Sequence, residues 1–297
     1  MRKKQLFAAA ALLLLSAVVM SGCGGIYIGD DGIYIGDNNV NMDDLVNIGD
    51  NSAVPAYEDK GSKAMDIADG TVTVDADDIR LNIVGSDVSQ VQVDYAKQVF
   101  NKTITQEQAQ EIMDKMSVTF AQNGSEARIK SRTNNQRNAL IKMDIKMPAG
   151  MRLTIKSGDG AINVKNIAGD INLESGDGLI DVTDAGGNVK IDKGDGTVKL
   201  SSGSIGDMSI NSSDGKVSVS LDKLTGDEYT ISSGDGIVNM SLPGDVAADF
   251  KITAGDGIVK CGFPLSKWGK TYTGSVNGGG KSIKINSGDG TVNVEKK

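Results

Sequence analysis

Residues 152–183 read RLTIKSGDGAINVKNIAGDINLESGDGLIDVT. Within this stretch two apolar pairs, Leu153/Ile155 and Ile162/Val164, flank one Ser-Gly-Asp-Gly turn. The same arrangement returns 18 residues later as Ile171/Leu173 and Ile180/Val182. Apolar residues two apart place one face of a short strand in a core. Strand, turn, strand, turn then closes an 18-residue unit.

The unit continues to the end of the chain. Its turn aspartates are Asp159, Asp177, Asp195, Asp214, Asp235, Asp256 and Asp289, each with an aliphatic residue four before and three after. Later inward pairs are Val189/Ile191, Val198/Leu200, Met208/Ile210, Val217/Val219, Tyr229/Ile231, Val238/Met240, Phe250/Ile252, Val259/Cys261, Ile283/Ile285 and Val292/Val294. A repeat of this size buries its apolar face only by stacking on its neighbours. The expected fold is all-β, a single-stranded β-solenoid (β-roll or β-helix) of ~18-residue coils over 151–297.

Composition narrows the chemistry. Gly contributes 38 of 297 residues, aromatics 4%, and histidine is absent. Without histidine there is no Ser-His-Asp or Cys-His catalysis and no common zinc ligand. A bound metal would have to be an oxygen-ligand ion such as Ca²⁺. The formal charge is −8, and no basic stripe with aromatics marks a nucleic-acid partner.

The N-terminus carries an export pattern. Arg2, Lys3 and Lys4 precede an apolar run from Leu6 to Met20, too short for an ordinary spanning helix. Val19-Met20-Ser21-Gly22-Cys23 resembles the lipobox of bacterial lipoproteins, with Met20 where Leu is usual. That resemblance makes 1–22 a signal peptide and Cys23 a lipidated N-terminus. Membrane attachment would then be through lipid, at the outer face of the cytoplasmic membrane or, in a Gram-negative host, at the outer membrane. Cys261 would have no disulfide partner and would be a buried, reduced hydrophobe.

Residues 23–60 form an acidic Gly/Asp/Asn-rich tether in which Gly-Ile-Tyr-Ile-Gly-Asp occurs twice, at 25–30 and 32–37. Residues 61–150 form a β-rich entry and capping region with one helix near 106–116. Thr105 and Gln108 compose a capping box, and Ala109, Ile112, Met113 and Met116 share a face. An aromatic insertion near 262–281 contains Trp268 and Tyr272, which either contact glycan or pack as a C-terminal cap.

Two readings of the turn aspartates stay open. Stacked coils bring them ~4.8 Å apart, either as carboxylates accepting turn N–H groups or as a row of Ca²⁺ sites. Known calcium rolls use G-G-x-G-x-D, which places the aspartate differently. A second ladder is expected at Asp170, Asn188, Asp207, Glu228 and Asp249.

The recurrent Ser-Gly-Asp-Gly-x-[Ile/Val] turns from Ser157 to Gly290, the segment 274–280 and the coil from Ile283 to Val294 resemble a bacterial adhesin-like, β-strand-repeat family (domain of unknown function 4097) from about Lys63 onward. The resemblance implies a β-solenoid on an envelope protein. Some members accompany envelope-stress systems of the Lia type, and the family transfers no catalytic residues. The expectation is a non-enzymatic module without cofactor, whose partners are cell wall, glycan or an envelope protein. The alternatives are a carbohydrate-active β-helix (a polysaccharide lyase or glycan binder) and a Ca²⁺-binding repeat protein. The absence of arginine after Arg152 counts against lyase chemistry.

Overall fold

The computed structural model describes residues 26–29, 32–35 and 54–297. Cys23, the signal segment and most of the tether lie outside the described residues. Within the N-terminal unit, β1 (Ile26–Gly29) and β2 (Gly32–Ile35) pair antiparallel, with Tyr27 opposite Tyr34.

The second unit holds all the remaining elements. In chain order they are β3 (Tyr57–Met65), β4 (Thr71–Ala76), β5 (Ile79–Ser86), β6 (Val91–Val99), α1 (Gln106–Lys115), β7 (Ser117–Asn123), β8 (Glu126–Arg132), β9 (Ala139–Pro148), β10 (Arg152–Ser157), β11 (Gly160–Lys165), β12 (Ile171–Ser175), β13 (Gly178–Thr183), β14 (Val189–Lys193), β15 (Gly196–Ser202), β16 (Met208–Ser212), β17 (Gly215–Leu221), β18 (Glu228–Ser233), β19 (Ile237–Leu242), β20 (Ala248–Ala254), β21 (Ile258–Cys261), β22 (Ser266–Trp268), β23 (Thr271–Val276), β24 (Lys281–Ser287) and β25 (Thr291–Lys296).

These strands form two large sheets around one core. One runs β22-β23-β20-β24-β18-β16-β14-β12-β10-β4-β8-β7, the other β21-β25-β19-β17-β15-β13-β11-β5-β9-β6-β3. From β10 to β19 the chain alternates between sheets, so each layer gives one parallel strand to each. The register holds like residues together, as with Leu153↔Ile171↔Val189 and Ile162↔Ile180↔Val198. Every inward pair from Leu153 onward is buried except Val259/Cys261. β21 is the outermost strand of its sheet, so nothing stacks beyond that pair.

Two expectations are corrected. First, a single strand winding in chain order fails at both ends. The last layer, β24/β25, inserts between β18/β19 and β20/β21, and the first, β4/β5, inserts between β8/β9 and β10/β11. Strands β3, β6, β7, β22 and β23 are antiparallel additions. Second, residue 151 does not divide the fold, because the region 61–150 supplies two full layers to the same sheets. The physical reason is burial. A terminal layer tucked one place inward has both edges hydrogen-bonded, and antiparallel strands cover edges that would otherwise be open.

The helix forms as its caps dictate. Thr105 Oγ1 accepts from the Gln108 amide at 3.3 Å, and Gln108 Oε1 accepts from the Thr105 amide at 3.0 Å. Ala109 and Met113, with Met116 at the C-cap, are buried against the end of the stack formed by β3 and β6.

Candidate functional site

The repeated turn is the first candidate, because its aspartates line one corner of the stack. Each Asp backbone N–H donates to the Oδ1 of the Asp in the layer beside it. The distances are 2.7 Å for Asp177 to Asp159, 2.9 Å for Asp195 to Asp177, 3.0 Å for Asp214 to Asp195 and 2.8 Å for Asp235 to Asp214. The chain continues with Asp289 to Asp235 at 2.9 Å and Asp256 to Asp289 at 2.8 Å. At the other end Asp159 donates to Asp78 Oδ1 at 2.9 Å. Burial pushes the Asp78 carboxyl up, against the opposing pull of the Asp159 amide.

Asp78 is an eighth copy that lacks the Ser-Gly-Asp-Gly motif. It keeps both offsets, with Val74 four before and Leu81 three after, but its flanking glycines are replaced by Asp77 and Ile79. The offsets alone would have found it.

The second ladder is shorter than expected. The Asn188 amide donates to Asp170 Oδ1 and the Asp207 amide to Asn188 Oδ1, both at 2.9 Å. Asp207 Oδ1 then accepts from Asp227 at 2.7 Å and Glu228 at 3.0 Å. These two amides hold the Asp207 carboxyl below the usual range. The Glu228 side chain is therefore not a rung. Asp249 stands apart, bonded to the Ser275 hydroxyl and to the Gly280 amide at 2.9 Å. Asn188 shows that a neutral amide oxygen serves as a rung, so the ladder needs an acceptor rather than a charge.

Inside the same corner, the residue two before each turn aspartate points into the stack. Ser175 Oγ donates to the Gly158 carbonyl at 3.1 Å and Ser212 Oγ to the Gly194 carbonyl at 3.3 Å. One layer carries Lys193 at this position. It is 6% exposed, and its Nζ donates to the Gly176 carbonyl at 2.8 Å. Burial pushes the ammonium down to about 8, although Asp177, Asp159 and Asp195 oppose the shift. Lys193 lines an open groove of about 500 Å³ with Asp192, Asn211, Ser213, Ser233 and Asn286. Its lining residues are Asp, Lys, Asn, Ser and Gly, and among the described residues no group of acidic residues or Cys is arranged to hold a metal.

Trp268 and Tyr272 are not brought together. Lys267 lies opposite Tyr272 in the β22–β23 ribbon and Trp268 opposite Thr271. The two rings therefore fall on opposite faces of the ribbon. Tyr272 packs against the core with the Lys267 ammonium 5.2 Å from its ring, whereas Trp268 is 89% exposed. The aromatic that fills the cap is Phe263, stacked on Phe250 with centroids 5.0 Å apart. Cys261 is only half-buried on the outermost strand; burial raises its thiol pKa.

A family model describing Toastrack DUF4097 matches residues 64–295. The chain belongs to this family. Toastrack residues here thus include the entry layers as well as the Ser-Gly-Asp-Gly repeats, in agreement with sheets that run through both. Among solved structures, a putative cell adhesion protein from Clostridium sporogenes ATCC 15579 is similar at 14% identity, covering 81% of this chain and 100% of that one, with a TM-score of 0.42. A putative adhesin from Bacteroides fragilis NCTC 9343 is similar at 12% identity, covering 82% and 100%, with a TM-score of 0.39. Likenesses at this level carry no functional argument. No curated protein matches. Among the described residues, no helix is long and apolar enough to cross a membrane.

Proposed function

We propose that this Toastrack chain is an exported, lipid-anchored, non-enzymatic two-sheet β-stack of the cell envelope. It would serve as an adhesin-like or stress-response module that presents extended polar faces to a wall, glycan or protein partner. The observation that carries the reading is how the repeated polar groups are used. The turn carboxylates accept amide hydrogen bonds from the next layer, and the inward hydroxyls and Lys193 donate to carbonyls. The motif that looks most like a site is thus scaffold. What remains for partners is the exterior of the sheets, with the acidic segment 24–59 between it and Cys23.

Lipidation is supported by the residues Val19 to Cys23 and the preceding apolar run. Metabolic labelling of the full chain with palmitate, followed by detergent partition, tests it. Label and membrane fractionation are expected in the parent and absent in Cys23→Ser. A labelled Cys23→Ser variant, or an unlabelled parent, would sink the anchor. Stress signalling is separated from adhesion by deleting the chain and comparing survival under envelope damage with binding to isolated wall material.

A further inference from the structure

The charge of this chain is unevenly placed. Residues 251–297 carry eight Lys and three Asp/Glu, a net of +5, whereas residues 54–250 carry 20 Lys/Arg and 30 Asp/Glu, a net of −10. The fold gathers the positive segment at one end of the stack, because β20 to β25 are the strands beyond β18 and β19.

The two outermost strands of that end present an unusual surface. β21 carries Ile258, 59% exposed, and exposed Lys260; β22 and its turn carry exposed Lys267, Trp268 at 89% and Lys270. Trp268 lies on the same face of its sheet as Lys251 of β20, since Ser266 pairs with Thr273 and Thr273 with Lys251. Lys267 lies on the other face of β22 over the Tyr272 ring and Lys260 on the outer face of the other sheet, so the three lysines border this end from different sides. Lys251, Lys260 and Lys267 form no ion pair among the described residues, whereas Lys270 is offset by Asp256 at 2.7 Å. A Trp this exposed buries nothing in its own fold.

We infer that this end of the stack docks on an anionic phospholipid bilayer, with Trp268 at the headgroup level and Lys251, Lys260 and Lys267 against the phosphates. Charge complementarity selects an anionic partner. The exposed indole and Ile258 select a bilayer over a soluble polyanion, because Trp is favoured where an apolar layer meets water and lysines are drawn to anionic headgroups. The net −10 of the remaining layers is repelled by the same surface, so the stack would stand on this end. The inference rests on the envelope location proposed above, but not on the acyl chain at Cys23.

Trp268 is the only tryptophan in the chain, so its fluorescence reports this contact and no other. The full chain is titrated with phosphatidylglycerol vesicles, with phosphatidylcholine vesicles and with soluble poly(glycerol phosphate). A blue shift is expected with phosphatidylglycerol alone, with quenching by lipids brominated near the headgroup and reversal by high salt. Lys251→Gln/Lys260→Gln/Lys267→Gln, folded by circular dichroism, should weaken the fluorescence-detected affinity about 100-fold. No shift with phosphatidylglycerol, an equal shift with phosphatidylcholine, or the same shift with poly(glycerol phosphate) would each overturn the proposal. Vesicle flotation of the lysine variant separates the two ideas. Flotation that persists while the Trp268 shift is lost keeps an N-terminal anchor and places this contact at the C-terminal end. A shift retained in the variant overturns the role of the lysines, whatever the anchor does.

Discussion

The amide of Asp256 donates to the carboxylate of Asp289 at 2.8 Å, although Asp289 lies 33 residues later in the chain. The aspartate ladder follows layer order, not chain order. The last layer therefore supports the one made before it. Ile283, Ile285, Val292 and Val294 of that layer are each at most 1% exposed. Their burial contributes roughly 6–12 kcal/mol, comparable to the whole stability of a domain, about 5–15 kcal/mol. Truncation after Gly280 should expose the segment 243–280 to limited proteolysis and abolish a cooperative melt. A truncated chain that melts like the parent would contradict the layer order.

A rung of the ladder needs an oxygen acceptor. Asp195→Ala leaves the Asp214 amide without its partner and should cost about 1 kcal/mol in urea melts. Asp195→Asn keeps Oδ1 and should cost a few tenths, as the natural Asn188 rung suggests. Equal losses in both variants would mean that charge matters after all. On the same logic, adding Ca²⁺ should leave the melting temperature unchanged.

Lys193 is a buried cation in a position filled by serine in neighbouring layers. Its folded pKa of about 8 lies below its ordinary value of 10.5. The unfolded chain therefore binds more protons between these values, and stability rises with pH across that window. The gain is at most about 3.5 kcal/mol, since one unit corresponds to about 1.4 kcal/mol. Lys193→Ser should be about 1–3 kcal/mol more stable at pH 7 and should lose the alkaline rise. A variant less stable than the parent at pH 7 would show that the bond to Gly176 outweighs desolvation.

Gly196 adopts φ +111°, and a Cβ there would meet the Gly178 carbonyl oxygen at 2.3 Å. Gly196→Ala should cost about 2–4 kcal/mol. Gly203, with nothing within 4 Å of its Cβ position, should tolerate alanine with a change of a few tenths. Paired thermal melts test the contrast. If the two substitutions cost the same, close layer stacking at the second glycine of the turn is not what fixes that residue.

Most of the fold was legible because its rules are local. Inward pairs two apart, fixed offsets to the turn aspartate and the Thr105/Gln108 box each depend on residues within one layer or one helical turn. The layer β8/β9 was not legible, because the connection between its strands is longer and lacks Ser-Gly-Asp-Gly, whereas β4/β5 keeps the offsets around Asp78. In the candidate sites, Trp268 and Tyr272 looked like one cluster in sequence. Strand parity put their rings on opposite faces, and that depends on the pairing partner of β22. Lys193 could not be told from a solvated lysine, because its burial depends on the layers above and below.

By itself, the sequence determined the repeating unit, which side chains turn inward, and that the turn needs glycine beside an acceptor. Only the tertiary structure decided the order of the layers, the burial of Lys193 and the gathering of lysines with Trp268 at one end. The physical reason is that identical layers offer nearly interchangeable edges. Local chemistry makes each layer, but edge coverage and shared burial choose which layer stacks on which.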